Sequence, residues 1–344
     1  MAGAGGQAAV LEVRDLCVEL GIGGRWIRAL NDVSLTIRGG ETLGLVGESG
    51  SGKSLTALCI PGLLPGNARV VGGSIRLMGE EVLGRSEAEL NRVRTRSVAF
   101  IFQNPTTFLN PVLTVGAQIA EIFDLSPELL DGTGPGARLS RRARRRRAWL
   151  ESVEYLRLVR IPDPERIVRQ YPFELSGGMQ QRVVIAMALA RRPHLVIADE
   201  ITTSLDVTVQ AQILSLLADL RRSVGMTLLL ITHDMGIVAQ LADRVAVMYS
   251  GSVVESADVR SLFREARHPY ARALLEAVPT IHGSRTIFQA IPGAMPALSD
   301  PPAGCRFHPR CPRVLAQCAT VRPASVLTGP GHTVACHLYG GDAA

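Results

Sequence analysis

Glu41 to Ile60 reads ETLGLVGESGSGKSLTALCI. The apolar run Leu43–Val46 predicts a short buried strand, and the apolar spacing after Lys53 predicts a helix. Between them, Gly47–Ser54 fits the pattern GxxxxGKS. In that pattern the backbone N–H groups around Gly47, Ser49, Gly50 and Gly52 wrap phosphate oxygens, and the positive end of the new helix faces the same anion. Lys53 is then placed for the β and γ phosphates and the Ser54 hydroxyl for Mg²⁺. A strand that breaks into such a loop and resumes as a helix implies an α/β core built to hold a nucleoside triphosphate.

A phosphate loop needs a second acid for the metal, normally at the end of another buried strand. HLVIADE, His194 to Glu200, supplies Asp199 after the apolar run Leu195–Ala198. The adjacent Glu200 is placed to orient, or take a proton from, a water attacking the γ-phosphate, which points to hydrolysis and not binding alone. Two more polar residues end apolar strands: Gln103 after SVAFIFQ and His233 within MTLLLITHD. Ligands of open parallel sheets sit beyond the carboxyl ends of the strands, so both are expected at the nucleotide. Gln103 is assigned to Mg²⁺ or the attacking water, and neutral His233 to the γ-phosphate.

The 344 residues allow one large domain with an appendage or two modest domains, and 47% hydrophobic content suits a folded core. The longest apolar run, Val183–Ala190, is far short of the roughly 20 residues that span a bilayer. MAGAGGQAAV at the N-terminus lacks the basic and apolar regions of a secretory signal, which sets the cytosol as the expected compartment. There, six cysteines are not expected to form structural disulfides. The net charge of +6 owes much to RLSRRARRRRAW, Arg138 to Trp149, with its seven arginines. A solvated helix face is the first reading of that tract and attraction to anionic lipid headgroups the second. Nucleic acid is not expected as a partner, because aromatic residues make up only 4% of the chain and no stacking platform accompanies the tract.

A second glycine pair lies in LSGGMQQR, Leu175 to Arg182, at the start of a helical pattern. With it, the set resembles the nucleotide-binding subunit of an ATP-binding-cassette transporter over roughly residues 11–257. The resemblance makes Gly47–Ser54 the P-loop, Gln103 the Q-loop residue, LSGGMQQR the signature and Asp199 the Walker B acid. It makes Glu200 the catalytic glutamate, Ser204–Asp206 the D-loop and His233 the switch histidine. It implies an α/β P-loop fold with a RecA-like core, an antiparallel β subdomain and a helical subdomain. The cassette is expected over residues 8–257, with its helical subdomain at about 104–180. In this family two cassettes stack head to tail, and the signature of one caps the γ-phosphate held by the other. Ser176, Gly177 and Gly178 are therefore assigned to a partner's ATP, a hydroxyl and approachable N–H groups at a helix start being suited to an anion. Asp206 is assigned to nucleotide as well. The family often stacks an aromatic residue on adenine where Leu20 falls here; Trp26 is the nearby substitute. Ile201 stands where many relatives have proline.

From about residue 258 to 344 the composition shifts. HPYARALLEAVP, His268 to Pro279, and FQNPTTFLNP, Phe102 to Pro111, resemble the ATPases of oligopeptide, dipeptide and nickel importers. That resemblance implies a peptide importer whose partners are a second, related but different cassette chain, two membrane permeases and, indirectly, an extracytoplasmic binding protein. It places the chain peripherally on the cytoplasmic face of the membrane. Nickel or another small solute, or a soluble cassette ATPase, are the competing readings. The small C-terminal extension holds Cys305, Cys311, Cys318 and Cys336, spaced C-x5-C-x6-C-x17-C. This is not a common zinc-finger spacing, yet four thiolates suit a 4Fe–4S cluster or Zn²⁺. The resemblance favours the cluster; reduced structural thiols are the remaining reading. Cys17 and Cys59 read as core residues; His308 and His332 are spare ligand candidates whose first reading is as ordinary loop residues.

Overall fold

A computed structural model describes residues 8–130, 139–203, 205–277 and 291–340. Its strands are β1 (Ala9–Ile22), β2 (Arg25–Arg38), β3 (Thr42–Val46), β4 (Ala68–Leu77), β5 (Glu80–Glu81), β6 (Val98–Ile101), β7 (Leu195–Asp199), β8 (Leu228–Thr232), β9 (Arg244–Tyr249), β10 (Ser252–Asp258), β11 (Val326–Gly329) and β12 (His332–Val334). The chain divides into two compact units, residues 1–85 with 227–344, and residues 86–226.

In the first unit, β2, β1, β4 and β5 form an antiparallel sheet in that order. Val33, Leu35 and Ile37 of β2 point inward while Ser34, Thr36 and Arg38 point out, the alternation of a sheet with one covered face. The second sheet of this unit runs β11-β12-β10-β9-β3-β8. β3 pairs in parallel with both β8 and β9. Every residue of β3 and β8 is buried, which is why their sequences, TLGLV and LLLIT, are continuous apolar runs without alternation. The far edge is antiparallel and comes from the tail, β12 pairing with β10 and β11 with β12. The C-terminal extension does not stand apart as a separate compact unit.

That attachment rests on residues read as ordinary in the sequence. His332 is not in a loop: it begins β12, is buried, and its Nε2 lies 2.7 Å from Oε1 of the fully buried Glu255 on β10. Glu255 also accepts from the backbone N–H groups of Arg267 and His268, at 2.8 and 2.7 Å. Three donors on one carboxylate satisfy a group that would be costly to bury alone. His268 caps the helix Pro269–Glu276 by accepting from the Tyr270 N–H, and its burial pushes its pKa down to about 3. It stays neutral at physiological pH, as an acceptor cap must.

The second unit pairs β6 with β7 in parallel and surrounds them with helices, among them Val115–Leu125, Arg141–Leu158, Gly177–Ala190 and Val207–Val224. Each of these four starts at a side-chain cap: Thr114, Ser140, Ser176 and Asp206 accept an N–H from inside the first turn. The helix Arg141–Leu158 buries Ala148, Ser152, Val153 and Leu156 and exposes Arg141, Arg142, Arg145, Arg146 and Arg147. Arg138 lies outside the described residues.

Candidate functional site

In the first unit the loop after β3 is built on glycines in backbone conformations that other residues seldom adopt. Gly47, Gly50 and Gly52 have φ of 152°, 81° and 104°. A Cβ on Gly47 would stand 2.1 Å from the carbonyl oxygen of Met248 on β9, so the loop turns where the neighbouring strand leaves no room for a side chain. Lys53 is only 4% exposed, and its ammonium donates to the carbonyls of Gly47 and Glu48 at 2.8 and 2.9 Å. Ser49, Gly50 and Ser54 are exposed on the same loop. A buried cation, an N–H-rich glycine backbone and an accessible hydroxyl form a donor set that fits a triphosphate with its Mg²⁺, a hard cation that takes oxygen ligands. The parallel register Val46↔Thr232 puts His233 beside Gly47, at the carboxyl ends of neighbouring strands, and His233 is exposed there.

The second unit holds Gln103, Ser176 to Gly178, Asp199, Glu200 and Asp206. The register Ile101↔Ala198 brings the ends of β6 and β7 level. Asp199 ends β7, and Glu200 follows at φ 48°, in the left-handed region that non-glycine residues seldom adopt. Such strain costs about 1–3 kcal/mol and persists where surrounding structure enforces it. The Glu200 Oε2 accepts from Gln103 Nε2 and from Thr203 Oγ1, both at 3.4 Å. Gln103 thus bonds the Glu200 carboxylate directly. Thr203 had no sequence signal, since a threonine three residues after an acid is unremarkable.

The glycine pair opens the helix Gly177–Ala190. Ser176 accepts from the Met179 N–H at 3.4 Å, so its hydroxyl serves its own helix. Gly178 also has a packing duty: a Cβ there would meet Val209 Cγ1 at 2.6 Å. At Gly177 the nearest atom to such a Cβ is Leu205 Cδ2 at 3.9 Å, ordinary contact. Asp206 caps the helix Val207–Val224, accepting from Val209 N–H at 2.9 Å. Ser204 lies outside the described residues.

Residues 30–203 match the ABC transporter family, and residues 254–318 match the family described as oligopeptide/dipeptide transporter, C-terminal region. This chain belongs to the ABC transporter family. The cassette is 46% identical to a probable peptide ABC transporter ATP-binding protein of Sinorhizobium fredii, over 95% of this chain and 94% of that one. It is 43% identical to the oligopeptide transport ATP-binding protein OppD of Escherichia coli, over 95% of this chain and 93% of that one. Among solved structures it resembles the dimeric, post-hydrolysis ATP-binding cassette MJ0796 bound to ADP and Pi, with a TM-score of 0.60, 28% identity, and coverage of 73% of this chain and 99% of that one. The α/β cassette fold expected from the sequence is borne out, and with it ATP hydrolysis coupled to transport.

At the base of the cassette's first sheet, Trp26 is exposed near the β1–β2 turn, while Leu20 is half-buried. Arg69 covers one face of the Trp26 ring, its guanidinium carbon 4.1 Å from the centroid. Ile201 is buried. Cys17 and Cys59 are buried as expected of core residues, and desolvation pushes the Cys59 thiol up to about 12.

The tail cysteines share one neighbourhood. Cys305 N–H donates to the Cys318 carbonyl at 2.9 Å. Burial pushes Cys305 up to about 11, and the charges of Cys318, Cys336 and Cys311 add to that rise. Cys311 and Cys336 are raised for the same reasons. Yet among the described residues no group of three or more His, Cys, Asp or Glu side chains converges at metal-holding distance. Burial favours the protonated form of Cys305, Cys311 and Cys336, so a metal binding there would release protons. His308 sits in a short turn with Nδ1 2.9 Å from the Cys305 carbonyl oxygen.

Proposed function

We propose that this cassette powers the import of di- and oligopeptides across the cytoplasmic membrane, working from its cytoplasmic face. The observation that carries this reading is the match of residues 254–318 to an oligopeptide/dipeptide transporter region, joined to a cassette that resembles named peptide-importer ATPases along nearly its whole length. Among the described residues no helix is long and apolar enough to cross a membrane, which is in keeping with separate permease chains supplying the pathway. The proposed assembly has two such permeases, a second, related but different cassette chain and an extracytoplasmic receptor that delivers the cargo.

Within it, Lys53 and the N–H groups of Gly47, Ser49, Gly50 and Gly52 grip the phosphates. Ser54 and Asp199 supply oxygen ligands for Mg²⁺. Glu200 orients the attacking water, Gln103 and Thr203 hold the Glu200 carboxylate in line, and His233 bonds the γ-phosphate. Ser176 to Gly178 of this chain complete the site of the partner cassette. Reconstitution of the complex in vesicles is expected to give ATP-dependent uptake of radiolabelled tri- to pentapeptides, abolished without the receptor. Uptake of Ni²⁺ and not of peptides would overturn the cargo; a complex that hydrolyses ATP but moves neither would overturn import itself.

For the tail we propose a bound 4Fe–4S cluster, with Zn²⁺ as the alternative. Support lies in the shared neighbourhood of the four thiols and in family resemblance, and no step of the ATPase is assigned to the metal. Anaerobically purified chain is expected to contain about four iron and four acid-labile sulfide atoms per chain. Stoichiometric zinc without sulfide would identify the alternative, and a folded tail free of both would remove the metal altogether.

A further inference from the structure

Glu48, the second residue of the phosphate loop, is held from two directions by the C-terminal extension, and all the residues involved belong to the first unit. Its backbone N–H donates to the Tyr270 hydroxyl at 2.8 Å. Its carboxylate is held by Arg310, with Nη1 at 3.1 Å from Oε1 and 3.2 Å from Oε2, and Nη2 at 3.2 Å from Oε2. Its carbonyl accepts from the Lys53 ammonium at 2.9 Å. One residue therefore links two tail side chains to the cation assigned to the phosphates.

Neither tail group has freedom to drift. The Arg310 side chain is 5% exposed, and its guanidinium also donates to the carbonyls of Pro292 and Ile291 and to the Tyr249 hydroxyl, at 2.8, 3.3 and 3.3 Å. Tyr270 is fully buried, its ring 4.6 Å from that of Tyr249 and 5.4 Å from that of Phe307. Phe307 and Arg310 both lie between Cys305 and Cys311, so the cysteine-bearing segment is what delivers the clamp.

The contact has an electrostatic consequence as well as a geometric one. Glu48 places a carboxylate in a loop assigned to a triphosphate, and an uncompensated negative charge there opposes the ligand. A guanidinium fork on that carboxylate offsets the charge and fixes its direction, which a point-charge ammonium does less well.

We infer that Arg310 and Tyr270 are positioning residues for the phosphate loop: through Glu48 they set the loop's shape and cancel its one acidic charge, so that the extension tunes affinity for Mg–ATP. This rests on the reading of the loop as the Mg–ATP site. The test is equilibrium binding of Mg–ATP to the full chain and its variants, with thermal unfolding recorded beside it. Arg310→Met is expected to raise Kd about tenfold, since removing one partner leaves the other charge uncompensated. Arg310→Lys should fall between Arg310→Met and wild type. Tyr270→Phe, which removes only the hydroxyl, should raise Kd about threefold. Glu48→Gln should change Kd by less than about threefold, and in that background Arg310→Met should add little, because the charge to be cancelled is gone. A merely structural role would lower the unfolding temperature and leave Kd of the folded fraction unchanged. An Arg310→Met chain with wild-type Kd, or the same Kd penalty with and without the Glu48 carboxylate, would overturn the inference. Wild-type chain that fails to bind Mg–ATP would instead overturn the reading of the loop.

Discussion

Glu200→Gln is expected to cut ATP turnover by the assembled transporter by about 10²–10⁴, the range of a lost general base, while Mg–ATP binding stays within about twofold of wild type. The substitution keeps size and hydrogen-bonding shape, so the left-handed turn at φ 48° between Asp199 and the buried Ile201 is retained. What changes is charge and basicity. Gln103 Nε2 and Thr203 Oγ1 both donate to one oxygen, Oε2, of the wild-type carboxylate. Those two bonds steady the orientation of the carboxylate that is proposed to hold the water. An amide has no basic oxygen to offer it. Single-turnover phosphate release in complexes loaded with Mg–ATP checks the chemical step directly. Release within tenfold of wild type would remove Glu200 from that step. A chain that no longer bound nucleotide would mean that the amide had disturbed the loop and not the chemistry.

How much of this arrangement the sequence disclosed depended on how local each signal was. β3 and β8 were legible because central parallel strands are buried on both faces, leaving unbroken apolar runs. The polar residues that end such runs, Gln103, Asp199 and His233, stood out for the same reason. The tail strands did not: VLTG, the edge strand, and HTV, the strand beside it, are short and carry no run of apolar residues that a sequence pattern would pick out. His332 therefore read as a loop residue although its partner on β10 makes it a buried strand residue. Arg310 and Glu48 are 262 positions apart, and no spacing rule reaches that far. Gly178 shows the opposite difficulty. The sequence offered one reason for a glycine there, approach of an anion, whereas packing against Val209 gives a second that acts within the chain itself.

That double duty decides how the partner-capping role should be tested. Ser176→Ala removes a helix cap, which costs about 0.5–2 kcal/mol, and Gly178→Ala drives a methyl into Val209, so a loss in either variant would be ambiguous. Gly177→Asp avoids both problems. A Cβ at Gly177 meets nothing closer than 3.9 Å, and an acidic residue in the first turn of a helix is favourable to folding. Its carboxylate would nonetheless repel any phosphate brought to the start of this helix. In a complex with unmodified partner cassette, Gly177→Asp is expected to slow phosphate release from the partner's ATP by about 10²–10³, the scale set by loss of preorganised donors to a developing anion. Mg–ATP binding at this chain's own loop should stay within about twofold. Photolabelling with an azido-ATP analogue trapped by vanadate reports which chain's loop holds the hydrolysed nucleotide. Trapping should disappear from the partner's loop and persist on this one. If it disappeared from this chain's own loop and survived on the partner's, the glycine pair would be acting in cis, and the head-to-tail clasp proposed for Ser176 to Gly178 would fall.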